Sequence, residues 1–123
     1  MKLFVDDIRN APDDTWVLAR TIKAALSAID RFEFDTVSLD HDISHQVTVG
    51  AVSRPYPCEE TFSVVATYLG VLRRTYPERV VPEIIIHTAN PVGANIMAKI
   101  CERYVLPYKI EPYKPANRLE TEI

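Results

Sequence analysis

Three short apolar runs in this chain each stop at a cluster of acidic or polar residues, and that repeated junction narrows the possible folds more than any other feature. Lys2-Leu3-Phe4-Val5 ends at Asp6-Asp7, Thr36-Val37-Ser38-Leu39 at Asp40-His41-Asp42, and Glu83-Ile84-Ile85-Ile86 at His87-Thr88-Ala89-Asn90. Such runs are too short for helices and long enough for buried strands. If the strands lie parallel in one sheet, the three clusters meet at its carboxyl edge, where open α/β sheets place their sites.

The intervening segments are read as helices. Residues 21–32 carry Ile22, Ala25, Leu26, Ile29 and Phe32 at helical spacing. Residues 59–75 present Phe62, Val65, Ala66, Leu69 and Leu72, with two glutamates in the first turn to suit the helix dipole. Asn90-Pro91 predicts the start of a third helix, with Asn as N-cap and Pro at the first helical position. Its expected core face is Val92, Ile96, Ile100 and Tyr104. Trp16–Ala19 reads as an edge strand and residues 108–112 as a last strand. Three consecutive isoleucines in residues 83–87 argue for burial on both faces, as in a central parallel strand. Residues 8–15, with Asn10, Pro12, Asp13 and Asp14, read as a loop. Residues 43–57 hold Gly50, Pro55 and Pro57 and show no clean period, so they are expected to be mostly loop with brief pairing at 47–49.

Strands alternating with helices predict an α/β domain: a small doubly wound, mostly parallel sheet of about five strands. Right-handed crossovers would then place helices on both faces. The domain is expected to span residues 1–112, with a polar tail over 113–123. A chain of 123 residues has room for one core. Its net charge of −3 and scattered lysines and arginines argue against a broad nucleic-acid-binding face. No apolar run approaches the roughly 20 residues of a membrane helix, and no basic-then-apolar leader precedes the first strand. The two cysteines, Cys58 and Cys101, form no metal-binding spacing, and Cys101 reads as a small core residue. A reduced, cytoplasmic protein is expected.

The junctions carry the chemistry. Adjacent carboxylates at a strand end are costly unless hydrogen bonds or a cation compensate them. Asp6 and Asp7, joined by Asp40 and Asp42, therefore suit either a divalent cation or solvated turns. Hard oxygen donors of this kind favour Mg²⁺ or Mn²⁺. His87 has the intrinsic proton affinity of a general acid or base, and also fits a hydrogen-bonded histidine closing a core strand. Asn90 and Gly93 open a helix whose amides would face an anion, and the Thr88 hydroxyl could donate to a phosphate oxygen. Arg9 could pair with a carboxylate or with a phosphate. His45 shares a four-residue spacing with His41, but the stretch does not read as helical and His45 is not expected to be a ligand.

In order, Leu3-Phe4-Val5-Asp6-Asp7-Ile8-Arg9, Ser38-Leu39-Asp40-His41-Asp42-Ile43 and His87-Thr88-Ala89-Asn90-Pro91-Val92-Gly93 resemble the cyclic-phosphate processing receiver-like domain family, over residues 1 to about 112. That family in turn resembles the receiver domains of bacterial response regulators. The resemblance implies a flavodoxin-like fold with reduced helices. It matches Asp6 and Asp7 to the receiver's metal-binding acidic pair, Asp40 to its phosphoacceptor and Thr88 to its hydroxyl position. It matches Lys114, followed by Pro115, to the receiver lysine, with Lys109 as the alternative. The departures are a short segment after Asp7, a long loop after Ile43, the absence of a helix after the last strand, and the extra His41 and His87. The implied function is metal-dependent, phosphoesterase-like processing of a cyclic nucleotide or a 2′,3′-cyclic RNA end. His87 would then protonate the leaving oxygen and His41 would accept the proton of water. The alternatives are a phosphoacceptor domain built on Asp40, or a non-enzymatic sensor or protein-interaction module, with the Tyr56-Pro57 and Tyr113 regions as candidate contacts for a protein partner.

Overall fold

The computed structural model describes residues 1–43, 48–49, 52–53 and 61–113. The chain runs β1 (Lys2–Val5), β2 (Trp16–Ala19), α1 (Ile22–Arg31), β3 (Thr36–Leu39), β4 (Thr48–Val49), β5 (Val52–Ser53), α2 (Ser63–Thr75), β6 (Glu83–Ile86), α3 (Pro91–Tyr104) and β7 (Tyr108–Ile110). Five strands form one sheet in the order β2-β1-β3-β6-β7, and every pairing in it is parallel. This is the strand order of a flavodoxin-like doubly wound sheet, with its switch point between β1 and β3. The register aligns Val5, Leu39 and Ile86, so Asp6, Asp40 and His87 leave the sheet side by side. The brief pairing expected at 47–49 is the antiparallel contact of β4 with β5. The rest of that long loop, with Tyr56, Pro57, Cys58 and His45, lies outside the described residues.

The helices depart from expectation in where they sit. From β2 onward the chain steps one way across the sheet, through β3 and β6 to β7. Right-handed crossovers in a single direction place α1, α2 and α3 on one face rather than two. The reverse step, from β1 to β2, has no helix, and none follows β7 among the described residues. Alternation along the strands matches this arrangement. Leu3, Val5, Val37, Leu39, Ile84 and Ile86 point into the helix-side core, whereas Phe4, Ser38 and Ile85 point to the other face and stand outside that cluster. As expected, β6 is an interior strand, parallel to β3 on one side and β7 on the other, but it is not fully buried on both faces, for Ile85 is only half-buried. The helix-free face is covered near its carboxyl edge by stacked rings: Phe4 lies on His87 at 4.5 Å and nearly parallel, with Trp16 and Tyr113 against Phe4.

Thr21 caps α1, accepting from the Ala24 amide. Helix α2 begins at Ser63 with no acidic residue in its first turn; Glu59 and Glu60, expected to suit its dipole, lie outside the described residues. The buried stripe of α3 is also not the one expected. Val92 is 68% and Ile96 42% exposed, while Gly93, Ala94, Met97, Ala98 and Cys101 are buried. Counting large apolar residues missed the small ones, which let α3 lie close to its neighbours. A Cβ on Gly70 would sit 2.3 Å from Tyr104 Cγ, and one on Gly93 would sit 2.5 Å from His41 Cγ. Burial pushes the Cys101 thiol up to about 11, in keeping with an inert core residue. Among the described residues no helix is long and apolar enough to cross a membrane.

Candidate functional site

The parallel register delivers Asp6, Asp40, His87 and Thr88 to one sheet edge, all buried. In front of them is a cavity of about 300 Å³ lined by Asp6, Asp7, Ile8, Arg9, Asp40, Asp42, Thr88 and Ala89. Ligand atoms of Asp6, Asp40 and His87 lie within 4.8 Å of one another.

Asp6 sits in a dense set of donors. Its Oδ1 accepts the amides of Ile8 and Arg9, both at 2.9 Å. Its Oδ2 is 2.9 Å from His87 Nε2. Burial opposes ionisation of Asp6, but the His87 hydrogen bond, the two amides and the His87 charge together hold its pKa below the ordinary carboxylate value. Because a carboxylate only accepts, Nε2 carries a proton. On the other side of the ring, Nδ1 is 2.7 Å from Ser38 Oγ.

Asp40 is biased the other way. Burial, followed by the charge of Asp6, raises its pKa, against opposition from the His41 amide, His87 and the Thr88 hydroxyl. Two carboxylates set side by side with opposite shifts are a site under electrostatic stress, and a cation would relieve it. The donor set fits a hard divalent ion. With His87 engaged, the available atoms are the oxygens of Asp6 and Asp40, with Asp7 on the same cavity wall. Such oxygens suit Mg²⁺ or Mn²⁺.

Several residues stand elsewhere than the sequence suggested. His87 has both ring nitrogens bonded and is stacked on Phe4 behind the cavity, so it does not face a substrate. His41 is buried against Gly93, and its Nδ1 donates to Asp42 Oδ1 at 2.8 Å; it does not line the cavity. Gly93 therefore makes room for a ring rather than for a phosphate. Asn90 caps α3 by accepting the Val92 amide at 3.0 Å, and its side chain donates to Asp42, 3.2 Å away. Asp42 lines the cavity at its exposed mouth, where the His41 hydrogen bond chiefly, against some burial and with help from Asn90, lowers its pKa. It is not among the convergent ligand atoms. Lys109 pairs with Glu111 at 3.4 Å, and Lys114 lies outside the described residues. Tyr113, expected to begin a tail, donates its amide to the His87 carbonyl and packs on Phe4.

Arg9 stands in the cavity wall. Its guanidinium lies 5.0 Å over the Tyr113 ring and 3.9 Å from Asp6 Oδ2. Its Nη1 is buried with no hydrogen-bond partner among the described residues. Ser38 and Arg20 are site neighbours that the sequence reading did not single out, and Tyr113 is one that it named only as a contact for a protein partner. Ser38 left a signal, since a hydroxyl inside a buried strand needs a partner.

The sequence model of the cyclic-phosphate processing receiver domain matches residues 1–103. The chain belongs to that family. No curated protein and no solved structure matches it. The match covers β1 to nearly the end of α3 and so includes every residue of the cavity. As a cyclic-phosphate processing receiver domain it keeps the receiver's parallel sheet while lacking a helix between β1 and β2.

Proposed function

We propose that the chain hydrolyses a cyclic phosphodiester at this cavity, using Mg²⁺ or Mn²⁺ held by Asp6, Asp7 and Asp40. Cyclic nucleotides and 2′,3′-cyclic RNA ends are substrates of this class. The reading is carried by Arg9 Nη1, a buried donor with no hydrogen bond among the described residues, 3.9 Å from Asp6 Oδ2 and beside a cavity ringed by four carboxylates. A buried guanidinium N–H left unmatched costs free energy, and a phosphate oxygen is its natural acceptor. Carboxylates in this excess repel a phosphate until a cation joins them.

When bound, the cation supplies charge neutralisation and a more acidic water. The chain's own residues orient the reaction. Arg9 holds a non-bridging phosphate oxygen. Asp42, whose Oδ1 serves His41 and Asn90, keeps Oδ2 for the proton of the attacking water. The water oxygen bonds to phosphorus, one ring P–O bond breaks, and the leaving oxygen takes a proton from solvent, giving a monoester. His87 orients Asp6, in place of the proton-donor role expected from sequence.

The test is ³¹P NMR with 2′,3′- and 3′,5′-cyclic phosphates, with Mg²⁺ or Mn²⁺ and with EDTA. A monoester peak that needs the metal supports the proposal; no peak despite bound metal rejects it. A second reading, with Asp40 as phosphoacceptor, draws on the Thr88 hydroxyl bonded to Asp40. In that case acetyl phosphate with Mg²⁺ would add a phosphoryl mass that Asp40→Asn abolishes.

A further inference from the structure

Residues 6–15 join two adjacent parallel strands without a helix. Such a connection lacks the hydrogen-bond ladder of a helix, with its internal hydrogen bonds going to the Asp6 and Asp13 side chains, and it carries Asp6, Asp7 and Arg9. Its conformation is set from outside, by Arg20 at the end of β2. Arg20 Nη1 donates to the Arg9 carbonyl at 2.7 Å and to the Asp6 carbonyl at 3.3 Å. Its Nη2 donates to Asn10 Oδ1 at 2.7 Å. One planar fork thus spans residues 6 to 10. Tyr113 adds a second tie, its hydroxyl donating to the Asn10 carbonyl at 3.2 Å.

None of the Arg20 acceptors is a carboxylate, so the guanidinium shapes the turn without neutralising Asp6 or Asp7. Inside that turn the Ile8 and Arg9 amides both point at Asp6 Oδ1. The direction of the Asp6 carboxylate therefore follows from the turn, and the turn follows from Arg20. We propose that Arg20, through the Asp6 and Arg9 carbonyls and the Asn10 side chain, is a positioning residue that holds the turn of residues 6–9 ready for a divalent cation. This inference rests on the cation reading above. Lysine cannot replace the fork, because an ammonium is a point donor without the rigid planar geometry that reaches three acceptors.

The test compares the full chain with Arg20→Ala, Arg20→Lys and Arg79→Ala. Arg79 is the control: its Nη2 donates to the Ile29 carbonyl at 3.1 Å, away from the cavity. Mn²⁺ affinity is read by electron paramagnetic resonance, and protection of the Ile8 and Arg9 amides by hydrogen exchange without metal. Loss of a group that orients metal ligands typically weakens affinity about 10–100-fold. That loss is expected for Arg20→Ala, with a smaller one for Arg20→Lys and faster exchange of both amides in each. Arg79→Ala is expected to lower Tm with Mn²⁺ affinity unchanged. Wild-type affinity and protection in the folded Arg20 variants overturn the inference. So does an equal loss of affinity in Arg79→Ala. Should Arg20→Ala not fold, Arg20→Lys decides by the same criteria. A wild-type chain that binds no Mn²⁺ removes the cation reading and this inference together, whereas tight binding by wild type and Arg20 variants alike removes this inference alone.

Discussion

Replacing Gly93 by alanine separates two accounts of that glycine, as an anion-binding position and as space for a histidine. The new Cβ would lie 2.5 Å from both Cγ and Nδ1 of His41 and 2.9 Å from its Cβ. These atoms are the root of the side chain, not its tip, and the ring is further fixed by its bond to Asp42. Overpacking a tight site costs roughly 1–3 kcal/mol, and this contact belongs at the upper end. Glycine to alanine inside a helix returns up to about 1 kcal/mol. The expected net loss is about 2 kcal/mol, or roughly 8 °C in Tm for a domain of this size. The assay is a double-mutant cycle by thermal or urea denaturation of wild type, Gly93→Ala, His41→Ala and the double variant. With His41 truncated the clash disappears, so Gly93→Ala should be neutral or stabilising by up to about 1 kcal/mol there, giving a coupling energy of about 2–3 kcal/mol. An equal loss in both backgrounds, or none in either, would refute the steric reasoning.

Three further outcomes are expected. His87→Ala removes the Oδ2 donor of buried Asp6 and should cost about 1–3 kcal/mol of stability and about 10–100-fold in Mn²⁺ affinity; a proton-donor role would instead lower turnover by about 10²–10⁴-fold with affinity unchanged. Asp40→Asn should raise Tm in EDTA at neutral pH, because a carboxylate whose folded pKa is raised stabilises the fold fully only below its unfolded pKa and loses that contribution as pH rises through the folded value. The gain should shrink as scans move down toward pH ~4, and a gain independent of pH would refute the assignment. Val105 ends α3 with φ 59° and is 67% exposed, so Val105→Gly should relieve left-handed strain of about 1–2 kcal/mol and raise Tm measurably.

The strands were legible because burial leaves a local mark: four apolar residues and a polar stop. The register that brings Asp6, Asp40 and Thr88 together followed from that mark and from the rule that open sheets gather function at their carboxyl edge. The packing of α3 was not legible, since glycine and alanine contribute by absence of volume and a count of large side chains passes over them. His87 was found but its partners were not: they are Ser38 and Asp6, residues 49 and 81 positions away. Arg20 left no motif because it binds backbone carbonyls, whose positions are set by the fold and not by residue identity. Helices on both faces were expected from a crossover rule that is sound, but the rule needs a helix in every connection and residues 6–15 provide none.

Two of the rings that shield the helix-free side of the sheet also brace residues that line the cavity. His87 bonds Asp6 while stacked on Phe4, and Tyr113 packs on Phe4 while its ring lies against the Arg9 guanidinium. In most doubly wound domains a site can be emptied or rebuilt while helices on each side keep the sheet dry. In this chain the side chains that brace the cavity also keep the sheet dry, and any ligand that binds the folded chain there links occupancy to global stability by mass action. Selection acting on the site therefore acts on the fold as well, and substitutions that loosen one will be filtered through the other.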